Sequence, residues 1–263
     1  MRLTARPYAI TVPSLASERT REGRPAESRP DFSFAFQPII DARQHSVVGY
    51  EALVRGQQQQ PSTYVLQKVP LAEIAAFDED ARRMAIGLAA RIGFTGHLHL
   101  NFLPQTRAVV PKTLDNTLET AARCGIGASR IVLEIKHEAS VIDALELAEW
   151  LRTYRLTGMR ISIDDFGSGH AGLALLEHYQ PDMISVSMSL VRGVDSHGPR
   201  QAIMRGLIQT CGDLGIDVVA KGVETPEEYF WLREEGVELF QGFLFAKSSF
   251  EAFPRALFPA LAG

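Results

Sequence analysis

Two adjacent carboxylates, Asp164 and Asp165, close the run Arg160-Ile161-Ser162-Ile163-Asp164-Asp165-Phe166-Gly167-Ser168-Gly169. The apolar alternation predicts a short buried strand, and the glycines after it predict a turn. Neighbouring carboxylates repel, and a strand end tolerates such a pair best when a cation lies between them. A polar loop start, with one Asp capping the next helix, would explain the same two residues. Other oxygen-bearing side chains bear on the choice. Glu51, Asn101 and Glu134 lie in or at the ends of predicted strands, as do Gln37 in the first strand and Gln241 at the opening of the last. Each alone reads as easily as a cap or a loop contact. Together they predict a hard-cation site, and carboxylates with an amide suit Mg²⁺ or Mn²⁺ better than zinc.

Such a site needs a scaffold that gathers strand ends. The residue pattern predicts strands over 32–40 and 47–54, joined by the short turn Asp41-Ala42-Arg43-Gln44-His45 as an antiparallel hairpin. Further strands are predicted over 97–103, 130–135, through the Asp pair, and over 183–188, 217–223 and 239–245. Helical patterns separate them, over 72–92, 113–124, 141–154, 172–178, 200–214 and 226–235. The first of these places Ile74, Phe77, Ala81, Met84, Ala85 and Leu88 on one face. Thr225 caps the last, with Pro226 at its first position. An apolar helix is expected from Phe250 onward. Repeated βα units predict an α/β fold, a modified TIM-type (β/α)8 barrel with an antiparallel opening hairpin and its active site at the C-terminal strand ends.

Composition narrows the function classes. The 263 residues are 46% hydrophobic and 22% charged, as in an ordinary globular protein. A formal charge of −4 argues against a general nucleic-acid binder. Cys124 and Cys211 have no metal-type spacing and suggest no disulfide framework, so the cytoplasm is the expected compartment. No apolar run is long enough for a membrane span, and no signal peptide is expected. Residues 1–31 hold six Arg, four acidic residues and four Pro, and are expected to form a flexible arm before a barrel over 32–263.

Several segments resemble the EAL family, bacterial phosphodiesterase domains that linearise cyclic di-GMP. They are Phe36-Gln37-Pro38-Ile39-Ile40, Gly49-Tyr50-Glu51-Ala52-Leu53-Val54-Arg55-Gly56, Asn101-Phe102-Leu103-Pro104, Leu133-Glu134-Ile135, the Asp164-Asp165 run, Ala220-Lys221-Gly222-Val223-Glu224-Thr225 and Gln241-Gly242-Phe243-Leu244-Phe245-Ala246-Lys247. The wording around Asp182 and 197–202 resembles EAL domains that accompany blue-light flavin (BLUF) sensors. The resemblance implies that Glu51, Asn101, Glu134 and Asp164 match the ligands of a first Mg²⁺ or Mn²⁺. It implies that Asp165 matches a ligand of a second ion. It gives Gln37, Glu51, Leu53, Arg55, Asn101, Asp164 and Gln241 as nucleotide-contact positions. It also implies a homodimer near the segment 166–173, where His170 reads as a plain surface or packed histidine sooner than as a group titrating near neutral pH.

Four positions depart from that pattern, three of them on the chemistry. Lys221 stands where the family has a second-metal Glu, Ser185 where it has its catalytic Lys, and Ser187 where it has an Asp. His137 replaces a Glu that holds the Gly-rich loop, unless Glu138 takes over. An ammonium repels a divalent ion about 4 Å away by several kcal/mol at an effective dielectric near 20. Lys221 is therefore expected at the second-metal place, neutralising the Asp pair, with one divalent ion still possible at the first. These departures imply a degenerate, non-catalytic cyclic di-GMP receptor or a protein-interaction regulator with an unidentified protein partner. The alternative is a metal-dependent phosphodiesterase producing linear pGpG.

Overall fold

The opening hairpin pairs β1 (Phe32–Asp41) with β2 (Ser46–Gly56) along nearly their whole length, with a register shift at Ile39/Ile40. The computed structural model describes residues 31–103, 110–136, 144–167 and 176–259. Beyond β2, the strands are β3 (His97–Phe102), β4 (Ile131–Lys136), β5 (Arg160–Phe166), β6 (Met183–Val186), β7 (Asp217–Lys221) and β8 (Leu239–Gln241). Neighbours from β2 to β8 pair in parallel and in chain order, and β8 returns antiparallel to β1, so eight strands close a barrel. A ninth short strand, β9 (Ser249–Phe250), adds to the other half of β1.

Helices pack outside the ring: α1 (Ser62–Leu66), α2 (Ile74–Arg91), α3 (Val110–Arg123), α4 (Ala144–Arg155), α5 (Met188–Val191), α6 (Gly198–Leu214) and α7 (Pro226–Glu234). The cap expected for α7 is present as a full capping box, with Thr225 and Glu228 satisfying each other's backbone N–H groups. Outward-facing strand residues and the helices share the main core. A second, small apolar cluster of Ile39, Val132, Met183 and Val219 fills the barrel interior. It floors the polar layer above it.

Four expectations need correction. Met84 is 43% exposed and does not join the buried face of α2. The sixth strand stops at Val186, because the Ser187 side chain accepts a bond from the Ser189 N–H and starts α5. The eighth strand is short and Gln241 closes it instead of opening it. Gly242 passes so close to the Val223 backbone that a Cβ there would lie 1.9 Å from its carbonyl oxygen, and the chain turns away at that crossing. Among the described residues no helix follows Phe250. Pro254 and Pro259 forbid one, and Phe253 instead packs its ring on Phe36, Tyr50 and Phe94. Residues 1–30, His137, Glu138 and His170 lie outside the described residues, as does most of 172–178. Among the described residues no helix is long and apolar enough to cross a membrane.

Candidate functional site

Strand parity decides which side chains enter the barrel. Gln37 lies opposite Glu51 in the β1–β2 register, and Glu51 opposite His99 in β2–β3. Asn101 lies opposite Glu134, and Glu134 opposite Ser162. Ser185 lies opposite Val219 of the interior cluster, and Lys221, two residues on, lies opposite Gln241. Paired residues share a face, so all of these project inward at successive heights.

The fifth strand needs a further device. Ile163 pairs with Ile184, but Phe166 pairs with Val186, so β5 carries an extra residue between them. This bulge has Asp165 in the left-handed region at φ 57°, a conformation Asp tolerates better than most residues. Of the two carboxylates, Asp164 is buried and Asp165 is exposed.

The centre of the site is the Lys221 ammonium. Its Nζ donates to Glu134 Oε2 at 2.7 Å and to Asp164 Oδ1 at 2.8 Å, and lies 3.2 Å from Glu51 Oε2. Glu134 is fully buried, and its other oxygen accepts from His99 Nδ1 at 2.9 Å. Gln241 Nε2 donates to Glu51 Oε2 at 2.9 Å, and Asn101 Nδ2 reaches Glu51 Oε1 at 3.4 Å. The remaining contact candidates stand at the rim. Gln37 Nε2 donates to the Ala246 carbonyl, and Arg55 donates to the Val54 carbonyl and to Ser248 Oγ. Leu53 shares the Gln37 face of the hairpin, opposite Ala35.

Burial alone would lower the lysine pKa, but Asp164, Glu134 and Glu51 outweigh it and hold the ammonium well above its ordinary value. Burial pushes the Glu134 carboxyl upward, and the Lys221 charge opposes this. Burial, assisted by the Lys221 charge, pulls His99 down to about 3, so its ring is neutral and Nδ1 carries the proton toward Glu134. His99 went unnoticed in the sequence, although it lies two residues before Asn101 and so on the same strand face.

The expected place of Lys221 is corrected by this geometry. Its ammonium sits among three of the four residues matched to the first metal ion, Asp164 of the pair included. Below it, Ser185 and Ser162 are buried, and their hydroxyls have no partner among the described residues. A hard divalent ion needs oxygen ligands at about 2.0–2.6 Å with further positions open. Here the oxygens of Glu51, Glu134 and Asp164 already surround a nitrogen, so the residues as arranged do not fit that ion.

Residues 21–248 match the family described as EAL domain. The blue light- and temperature-regulated antirepressor BluF of Escherichia coli is 34% identical over 86% of this chain and 56% of its own length. This chain thus spans just over half of that relative, and about a third of several others. The crystal structure of a standalone EAL protein from Vibrio cholerae in its c-di-GMP-bound form has 38% identity and a TM-score of 0.83, covering 86% of this chain and 96% of that one. BlrP1 of Klebsiella pneumoniae, solved with calcium and cyclic di-GMP, has 31% identity and a TM-score of 0.78 over 86% of this chain and 57% of its own. The same protein was solved with FMN and cyclic di-GMP but no metal ions (27% identity, TM-score 0.74, covering 92% and 58%).

Proposed function

The chain belongs to the EAL domain family, and we propose that within it this barrel is a non-hydrolysing receptor for cyclic di-GMP that acts through contact with a protein partner. One observation carries the reading: the cation at the centre of the mouth is the Lys221 side chain. Hydrolysis of a phosphodiester by a metal-activated water needs an ion with an open position. An ammonium has three N–H donors and no acceptor, and here three carboxylates surround them. It neither activates water nor takes the leaving oxygen. Ser185 supplies no second cation.

Nucleotide binding is supported by what the rim retains. Gln37, Leu53, Arg55 and Gln241 match contact positions, and the Arg55 guanidinium suits a phosphate. BlrP1 with cyclic di-GMP and no metal ions is a relative in which the nucleotide is present without them. A partner-directed output agrees with the name of the antirepressor relative. A homodimer and a cytoplasmic setting belong to the same proposal, the latter consistent with free Cys124 and Cys211. The convergence of Glu51, Asn101, Glu134 and Asp164 favours the second reading, a phosphodiesterase releasing linear pGpG.

Calorimetric titration of cyclic di-GMP into the protein with Mg²⁺ or Mn²⁺, followed by chromatography of the nucleotide, separates the readings. Saturable heat with intact nucleotide is expected. Linear product would restore the phosphodiesterase, and neither heat nor product would remove the nucleotide and leave a protein-contact domain.

A further inference from the structure

We infer that Lys221 is a tethered replacement for the divalent cation, so that Glu51, Asn101, Glu134 and Asp164 take up neither Mg²⁺ nor Mn²⁺. The inference deepens the non-hydrolysing reading and concerns the same site, but it is tested without nucleotide, so the two can fail separately.

The ammonium occupies the convergence point of the carboxylates, at 2.7, 2.8 and 3.2 Å from Glu134, Asp164 and Glu51. A divalent ion drawing on the same oxygens would lie within a few ångströms of a positive charge. Displacing the ammonium is the other route, and the fold opposes it. Lys221 ends β7 in register with Gln241, and Gly222 follows it in the left-handed region at φ 77°. A Cβ at that glycine would meet Met188 Cγ at 2.4 Å, so the chain just beyond Lys221 is held close against α5. The lysine side chain itself is only 13% exposed. If it swung out, fully buried Glu134 would lose the cation that faces it.

Replacement by an ammonium changes what the mouth can do as well as what it holds. A divalent ion has more coordination positions than these side chains fill, and the remainder bind water or phosphate. The ammonium already donates to Glu134 and Asp164 and has Glu51 Oε2 3.2 Å away, so it closes the site. Any anion binding at the rim then depends on groups such as Arg55 and is insensitive to chelators.

The test is Mn²⁺ titration followed by electron paramagnetic resonance on the full chain, without nucleotide. Wild type is expected to leave the free Mn²⁺ signal unchanged. Lys221→Met and Lys221→Gln are each expected to bind one Mn²⁺ per chain at least about 100-fold more tightly. Adding Glu134→Gln to either variant should abolish that binding. Circular dichroism reports whether the variants fold, and one that folds only when Mn²⁺ is added supports the inference equally. Wild type that binds one Mn²⁺ per chain, and loses it with Glu134→Gln, overturns it. So does a folded Lys221→Met or Lys221→Gln that binds none.

Discussion

Two buried ionic groups in this molecule invite comparison. Between α2, α3 and the end of β3, Arg82 pairs with Asp78 one helical turn away, donates from Nε to Thr117, and lies 5.0 Å over the Phe102 ring. There one cation meets one anion, and both are buried. At the barrel mouth, one ammonium meets three carboxylates, with exposed Asp165 beside them. The first group is balanced and sealed, and its work is to fix how two helices meet a strand. The second carries surplus negative charge at the open end of the barrel. Packing alone gives no reason to gather so many carboxylates around one lysine. The contrast separates a pair that holds the fold from a cluster that the fold holds.

The sharpest way to break this comparison is to remove each cation. Arg82→Met should cost about 3–5 kcal/mol in urea unfolding, because Asp78 is left buried and uncompensated. Mn²⁺ should not restore that loss, whereas it should restore stability to Lys221→Met. Equal behaviour of the two variants toward Mn²⁺ would erase the distinction. Removing one anion is the gentler comparison. Glu134→Gln can accept from only one of His99 and Lys221 and turns its amide N–H on the other, so a loss of about 1–3 kcal/mol is expected. A cost as large as that of Arg82→Met would mean that the mouth cluster is structural too. The smallest effect is expected from Ser185→Ala. Its hydroxyl is buried without a partner among the described residues, so the change should be neutral or stabilise by up to about 1 kcal/mol in the same unfolding assay.

Much of this architecture could be read from the residues. Alternation and turn chemistry located the opening hairpin and the strand order, because a two-residue period survives wherever one face enters a barrel. Thr225 and Pro226 marked the start of α7 for the same local reason. The C-terminal segment misled: its density of Phe and Leu resembled a helix face, but Pro254 and Pro259 outweigh apolar content, and β1 had an unpaired half to offer Phe250. At the site, residue types were legible and depth was not. Lys221 could be matched to a family position, but only the β7–β8 register and the length of its side chain carry the ammonium to Glu51, Glu134 and Asp164. The bulge that puts Asp165 in the left-handed region is likewise something two identical residues in a row cannot announce.

The ring of strands is not equally strong around its circumference. β1 pairs with β2 at ten positions but with β8 at only two, Ile40 with Phe240 and Asp41 with Leu239. That junction is the clasp of the hoop, and β9 is the tab that lies over the remaining edge of β1. Gln241, which holds Glu51, sits just past the clasp. A load applied to the C-terminal segment would therefore lift the tab first and reach the clasp next, altering the girth of the mouth while the parallel strands opposite kept their spacing.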